Sequence, residues 1–166
     1  MRIVHQDQYF MIREFLPEER NLFCDLFEDE EVTEYLPYRS PEQYTEMFEI
    51  ALEDYLQGPF GRFGIFNSEN NDFIGMCLAR IFADVPGQVE IGYTLSKKYW
   101  GKGIATEVSR ALVKYCFLNT GTNEVVAVTD LHNIGSQKVL EKAGFNRIDN
   151  LKRTYGELAY YIVKRS

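Results

Sequence analysis

Apolar side chains recur along the chain with two periods, and the switches between them divide it into elements. Residues 9–15 (YFMIREF) bunch aromatic and β-forming side chains, which predicts a first strand. Pro17, with Glu18 and Glu19 behind it, marks a helix start; Leu22, Phe23, Leu26 and Phe27 follow at helical spacing. An acidic, aromatic link covers 28–39. Ser40, Pro41 and Gln43 then form a capping box, and Tyr44, Met47, Phe48, Ala51, Leu52 and Tyr55 share one face as far as Gly58-Pro59. Strands are predicted at 62–66 and 73–82 around a polar turn at 68–72, and at 89–95 after Pro86-Gly87. A helix carrying Ile104, Val108, Ala111, Leu112 and Tyr115 on its apolar face leads to a buried strand at 124–129. A strand, helix and strand in succession imply a parallel pair. The helix at 133–143 has Asn133 at its cap, Val139, Leu140 and Ala143 inward and Gly144 as its stop, and strands at 145–151 and 155–163 close the chain. The order β-α-α-β-β-β-α-β-α-β-β describes one α+β domain over residues 1–166, built on a mixed sheet.

The junction between the strand at 89–95 and the following helix carries the chemistry. Gly101, Lys102 and Gly103 open the helix, so backbone can approach a ligand while the first unpaired amides point outward at the positive end of the helix dipole. Such a junction suits an anion, phosphate above all, although two glycines also make an ordinary tight turn. The loop lacks the Lys-Ser/Thr ending of a nucleoside triphosphate loop. Thr106 stands where a dinucleotide fingerprint has its third glycine, and Glu124 begins its strand instead of ending it, both of which disfavour a nucleotide-dependent oxidoreductase.

Composition narrows the setting. With 166 residues, 45% of them hydrophobic, the chain can bury a core as a single domain, and its net charge of −7 argues against a nucleic-acid footprint while remaining compatible with cationic amines. Three widely spaced cysteines, Cys24, Cys77 and Cys116, in apolar surroundings are expected to be buried free thiols of a reducing compartment. No signal-peptide pattern or membrane-length apolar run occurs, so a cytoplasmic location is expected. His5 and His132 are too isolated to predict a metal site.

The glycine loop resembles the acyl-CoA loop of the GNAT superfamily of N-acetyltransferases, Gln/Arg-x-x-Gly-x-Gly/Ala, with Lys98, Gly101 and Gly103 at the marked places and lysine in the first of them. A second segment, Asn133-x-x-Ser136-x-x-x-Leu140-Glu141-Lys142-x-Gly144-Phe145, is similar to the one that follows the parallel strand in that superfamily. With Tyr99-Trp100-Gly101-Lys102-Gly103 and Glu90-Ile91-Gly92-Tyr93 it is closest to the RimJ/RimL-like branch, which acetylates protein N-terminal amines. The resemblance spans the whole order of elements. It implies a mostly antiparallel sheet with a central parallel pair splayed around acyl-CoA, acetyl-CoA as co-substrate, no metal, and a protein that works as a monomer or homodimer on a primary amine: a peptide N-terminus, a polyamine or another small amine.

Site roles follow as expectations. The backbone of Gly101, Lys102, Gly103, Ile104, Ala105 and Thr106 is to hold pyrophosphate, with Lys98 or Lys102 adding charge; the resemblance lays the pantetheine arm along Tyr93, Thr94 and Leu95 and gives Asn133 its amides. An ammonium nucleophile must lose a proton, and an α-amine, with a pKa of about 8, loses it more readily than lysine at about 10.4. Glu90, a carboxylate in an otherwise apolar strand, is the candidate base, directly or through water, unless it merely faces solvent. A backbone amide near Tyr93 or Thr94 is to receive the developing oxyanion. Many members carry an acidic tyrosine where this chain has Leu140, so Ser136, one helical turn earlier, is the alternative proton donor for the thiolate, or a plain pantetheine contact. Tyr35, Tyr38 and Arg39 in the first link, with Tyr155 and Tyr160 in the closing hairpin, are the candidate acceptor contacts, aromatic and acidic surroundings suiting an ammonium. The competing reading is an acyl-CoA-binding module without catalysis.

Overall fold

Alternating side chains in eight segments give each strand one face for either side of a single sheet, and the order along that sheet sets everything that follows. The computed structural model describes residues 1–166. Its strands are β1 (Ile3–Gln6), β2 (Phe10–Arg13), β3 (Gly61–Asn67), β4 (Phe73–Ile81), β5 (Gln88–Leu95), β6 (Glu124–Asp130), β7 (Asn146–Arg153) and β8 (Gly156–Lys164). They lie in the order β1-β2-β3-β4-β5-β6-β8-β7. Only β5 and β6 run parallel, joined by the crossover through α4 (Ile104–Asn119). The other helices are α1 (Arg20–Leu26), α2 (Glu30–Thr33), α3 (Pro41–Asp54) and α5 (Ile134–Lys142).

The segmentation expected from the pattern holds, with three differences. The chain begins with an additional strand, β1, whose polar edge residues carry too little alternation to be seen; the expected strand at 9–15 shortens to β2. The link at 28–39 contains α2, nucleated because the Asp29 side chain accepts from the Glu31 amide. Leu22 is exposed instead of buried: Pro17–Glu19 forms a 3₁₀ turn, α1 starts only at Arg20, and Phe23 and Leu26 face inward. The Ser40–Gln43 capping box does open α3.

The two faces of the sheet bury different clusters. Odd-numbered residues of β5, Val89, Ile91 and Leu95, join the main core with Val108 and Leu112 of α4 and Leu140 of α5. On the opposite face Phe66 and Met76 pack with Phe23 of α1 and Phe48 of α3, while Phe82, Val126, Tyr160 and Ile162 form a separate cluster. Cys77 and Cys116 are buried in the main core, where desolvation pushes Cys77 up and Cys116 up to about 12, so both remain thiols. Cys24, contrary to expectation, is only half-buried, because it lies at the rim of the α1–α3 contact beside Thr45.

One buried ion pair fastens β2 to the helical layer. Arg13 donates from both terminal nitrogens to Glu19, each at 2.8 Å, and its guanidinium lies 3.7 Å from the Phe66 ring centroid. Burial by itself raises the Glu19 carboxyl, but the Arg13 bond, the Leu16 amide and the Arg13 charge outweigh it and hold the group below the usual carboxylate range. A carboxyl depressed in the folded state adds stability above its unfolded pKa and loses it as pH falls through the folded value. Urea midpoints measured between pH 7 and pH 3 should therefore fall with acid, and Glu19→Gln should flatten part of that decline while lowering the midpoint at pH 7. An acid profile identical in the two proteins would show that the pair does not couple to folding.

Candidate active site

The parallel pairing between β5 and β6 is short. Gln88, Val89 and Glu90 pair with Glu124, Val125 and Val126, and there the register ends, although β5 continues to Leu95 and β6 to Asp130. Each strand stays paired to its outer neighbour, β5 with β4 through Leu95 and β6 with β8 through Asp130, so a wedge opens between them. Phe82 N donates to Gln88 O at 3.0 Å and Ser96 N to Ile74 O at 2.8 Å, which commits the even-numbered backbone groups of this stretch to β4. The odd-numbered groups therefore face the wedge. Leu95 O is taken by the Trp100 indole at 2.9 Å, leaving the amide and carbonyl of Tyr93 and the amide of Leu95 without a strand partner. Thr94, one of the expected contacts, offers its amide to β4; the donor in the wedge is Tyr93.

Beyond β5 the chain makes a 3₁₀ turn, Lys97–Tyr99, and enters the glycine loop. Gly101 and Gly103 have φ of 72° and 80°, the left-handed region in which side chains are strained, and a Cβ on either would meet nothing within 4 Å. The space over the loop is open. Gly103 caps α4 without any side chain, and the first intrahelical bond runs from Glu107 N to Gly103 O, so the amides of Ile104, Ala105 and Thr106 are unpaired at the helix start. Lys98 in the preceding turn and Lys102 between the two glycines have their ammonium groups near the Tyr99 ring, 5.1 and 5.7 Å from its centroid. Three free amides, a helix dipole and two cations make a cradle fitted to a pyrophosphate.

The wedge is bounded on the α4–α5 side by an unexpected side-chain bridge. The Tyr93 hydroxyl meets Ser136 Oγ at 3.0 Å, linking β5 to the first turn of α5. Burial pushes the Tyr93 phenol up to about 12, against a smaller opposite effect of Ser136, so it is a protonated donor at neutral pH. Asn133 caps α5, its Oδ1 accepting from Ser136 N at 3.1 Å, while its side-chain NH₂ makes no bond within the chain. Leu140 is 1% exposed in the core.

Glu90 lies on the other face of the sheet at the point where pairing stops. It is buried, yet it is not the free carboxylate that the sequence evokes: its cross-strand neighbour Arg80 donates from Nε to Oε1 at 2.7 Å. The 28–39 link runs across this mouth. Glu31 of α2 pairs with Lys97 after β5 at 2.5 Å, and Tyr35 lies close enough to Asp130 at the end of β6 for that charge, with the larger effect of Glu34, to raise its phenol. Tyr38 is exposed and Arg39 half-buried along the same link. The closing hairpin contributes less than expected. Tyr160 is buried against Phe82 with its hydroxyl donating to Gln88, a packing role, and Tyr155 is an exposed residue at the hairpin tip beside the Arg153–Asp84 pair.

The wedge, the open glycine loop and the Glu90–Arg80 pair on the opposite face are thus gathered around one strand, β5. Residues 10–146 match the acetyltransferase (GNAT) domain, and the chain belongs to that family. An uncharacterised N-acetyltransferase, p20, of Bacillus licheniformis is 31% identical over 147 residues, covering 87% of this chain and 82% of its own length. Among solved structures, the ribosomal L7/L12 α-N-protein acetyltransferase RimL in complex with coenzyme A superposes with a TM-score of 0.83 at 16% identity, covering 99% of this chain and 98% of that one. Aminoglycoside acetyltransferase AAC(6')-Ib in complex with coenzyme A does so at 0.80 and 18%, over 94% and 95%. At those identities the two structures speak for the fold. No helix of the chain is long and apolar enough to cross a membrane.

The cradle can be tested directly. Gly103→Glu introduces a carboxylate over the open loop, at a backbone angle that also strains a side chain. Calorimetry should show acetyl-CoA binding weakened at least about 100-fold, the loss of charge-assisted bonds at about 1.5–3 kcal/mol each being compounded by repulsion. A cooperative thermal transition would show that the domain still folds, and unchanged affinity in a folded variant would remove the loop from the site.

Proposed function

We propose that this chain transfers the acetyl group of acetyl-CoA to a primary amine by direct attack while both substrates are bound. The observation that carries the reading is the end of β5–β6 pairing at Glu90 and Val126, which leaves the Tyr93 amide unpaired on the strand that leads into the glycine loop. The Ile104, Ala105 and Thr106 amides hold the pyrophosphate, Lys98 and Lys102 add charge, and the Leu95 amide and the Asn133 NH₂ are donors for the pantetheine arm. Bound there, the thioester supplies an activated carbonyl. The Tyr93 amide donates to the carbonyl oxygen as it gains charge.

From the opposite face Glu90 takes a proton from the acceptor ammonium, through its oxygen not bonded to Arg80 or through an intervening water. The amine nitrogen then bonds to the carbonyl carbon and gives its second proton to water, the carbon–sulfur bond breaks as the carbonyl re-forms, and the sulfur leaves as thiolate. Tyr93 and Ser136, hydrogen-bonded to each other, are the hydroxyls we assign to hand a proton to that sulfur, in place of the family tyrosine that Leu140 replaces. Release of CoA from acetyl-CoA in the presence of N-terminal peptides, polyamines and small amines tests the reading against a binding module without turnover. At least one acceptor should support multiple turnovers, and Glu90→Gln should cut kcat about 10- to 100-fold with acetyl-CoA affinity retained. Binding without CoA release from any amine would leave the module.

The proton donor is decided by magnitude. Loss of an essential general acid costs about 100-fold or more, loss of one neutral hydrogen bond about 1 kcal/mol, or roughly 5-fold. A thiolate is a good leaving group, so Ser136→Ala and Tyr93→Phe are each expected to lower kcat less than about 10-fold. A fall of two orders of magnitude in either, with acetyl-CoA affinity intact, would make that hydroxyl an obligatory acid.

A further inference from the structure

The acceptor face holds a group of arginines that the chemistry above does not use. Strand registry places Arg62, Leu78 and Gly92 in one row across β3, β4 and β5, and Arg80 beside Glu90 in the next. Arg62 and Arg80 therefore project from the same face as Glu90, on neighbouring strands. Arg39, at the end of the link that crosses the mouth, lies close enough to repel Arg62. Arg80 has its partner in Glu90, but Arg39 and Arg62 make no hydrogen bond or ion pair within the chain.

Arg62 is the sharper anomaly. Its Nε is the one side-chain nitrogen or oxygen shielded from solvent that has no hydrogen-bond partner. A shielded guanidinium nitrogen without an acceptor is costly, and the terminal nitrogens of the same group, which are not shielded and also make no bond within the chain, are the ones that a ligand's acceptor can reach. The local balance agrees. Burial, Arg80 and Arg39 all disfavour the charged form of Arg62, and the nearby carboxylates Asp54 and Glu90 only partly compensate. Three arginines against two carboxylates leave a surplus of one positive charge, which matches a single carboxylate better than a phosphate dianion.

We propose that Arg62, with Arg39 and Arg80 beside it, receives a carboxylate of the amine acceptor, so that the preferred substrates are amines that also carry an acidic group. The proposal rests on the amine-acetyltransferase reading and narrows its substrate class. Two strand spacings, about 10 Å, separate the backbones of β3 and β5. The acceptor spans from an amine near Glu90 to a carboxylate several bonds away, as in a free acidic amino acid or a peptide with an acidic residue near its N-terminus.

The test uses the full chain, acetyl-CoA and acceptor pairs that differ only in charge. Glutamate against glutamine is the small-molecule arm; tripeptides with Asp or Glu at the second position against their Asn or Gln counterparts are the peptide arm. Measured by CoA release, kcat/KM should favour the acidic member about 10-fold or more in one arm, the value of one charge-assisted bond, and that arm identifies the source of the carboxylate. Arg62→Gln and Arg39→Gln should each shrink the preference while acetyl-CoA affinity stays, and Arg62→Lys should restore part of it. Arg39 sits on a surface link, so its variant carries the test should Arg62→Gln fail to fold. Calorimetric titration of the same pairs onto the protein bound to CoA reads the preference without turnover. Failure to acetylate any amine would thus defeat the transferase reading, while the binding ratio still judges the arginines. Equal or reversed selectivity, no measurable binding of an acidic acceptor, or a preference that survives both substitutions overturns the proposal.

Discussion

Two parallel strands that pair for only three residues are the constraint on which this molecule turns. Glu90 faces Val126, and beyond that point β5 and β6 are each held by an antiparallel neighbour on the outer side. Neither can follow the other as the sheet twists, so the sheet divides into β1–β5 and β6–β8–β7 halves that part like a hinge left ajar. Backbone polar groups along the inner edge of β5 are thereby left without partners, which inside a packed domain is unfavourable unless a ligand supplies them. The wedge can accept a ligand's polar groups because the ladder is incomplete.

Several features are tied to that wedge by chain connectivity. α4 follows β5 after only a short turn and the glycine loop, so its unpaired amides open at the end of the same strand edge that carries the free Tyr93 amide. α5 follows β6 directly and places Ser136 across the wedge from Tyr93. Parity on β5 then separates the roles: odd-numbered side chains turn toward α4 and α5, even-numbered ones toward α1, α3 and the 28–39 link. The edge that leads into the glycine loop and the carboxylate proposed as base are consequently on different sides of one strand. A bond between ligands held on the two sides can form only at the gap.

What could be read from the sequence follows how local each signal is. The glycine loop was legible because Gly101 and Gly103 need left-handed backbone wherever they occur, and the α3 cap because Ser40 and Gln43 satisfy each other within four residues. The parallel crossover was legible from element order alone. β1 and α2 were not: their stability comes from pairing with β2 and from the Asp29 cap with the Glu31–Lys97 tie, not from an apolar period of their own. Glu90 could be placed on an apolar strand, but its ion pair with Arg80 depends on the β4–β5 register, which the sequence does not reveal. The same holds for the Tyr93–Ser136 bridge and for the burial of Tyr160, whose ring is drawn in by Phe82, a residue far earlier in the chain, just past the end of β4. The parity of Arg62 and Glu90 was present in the strand pattern, yet without register nothing brought the two together.

The arginines also show why overall charge is a poor guide to the acceptor. A net charge of −7 describes a field that salt screens over about 8 Å at physiological ionic strength, so it influences approach far more than contact. Within the cleft the relevant charges are those of Arg39, Arg62 and Arg80 against Asp54 and Glu90, partly shielded from water and therefore stronger at short range. An acidic exterior and a locally cationic cleft are compatible, because one acts on ligands in solution and the other on a ligand already seated. A free acidic amino acid or a short acidic peptide carries one ammonium against two carboxylates, and its single surplus negative charge is screened from the acidic exterior until it is close to the surface. It presents its negative end to Arg62 and its positive end to Glu90, and so matches the charge pattern across β3 to β5 with a single bound pose.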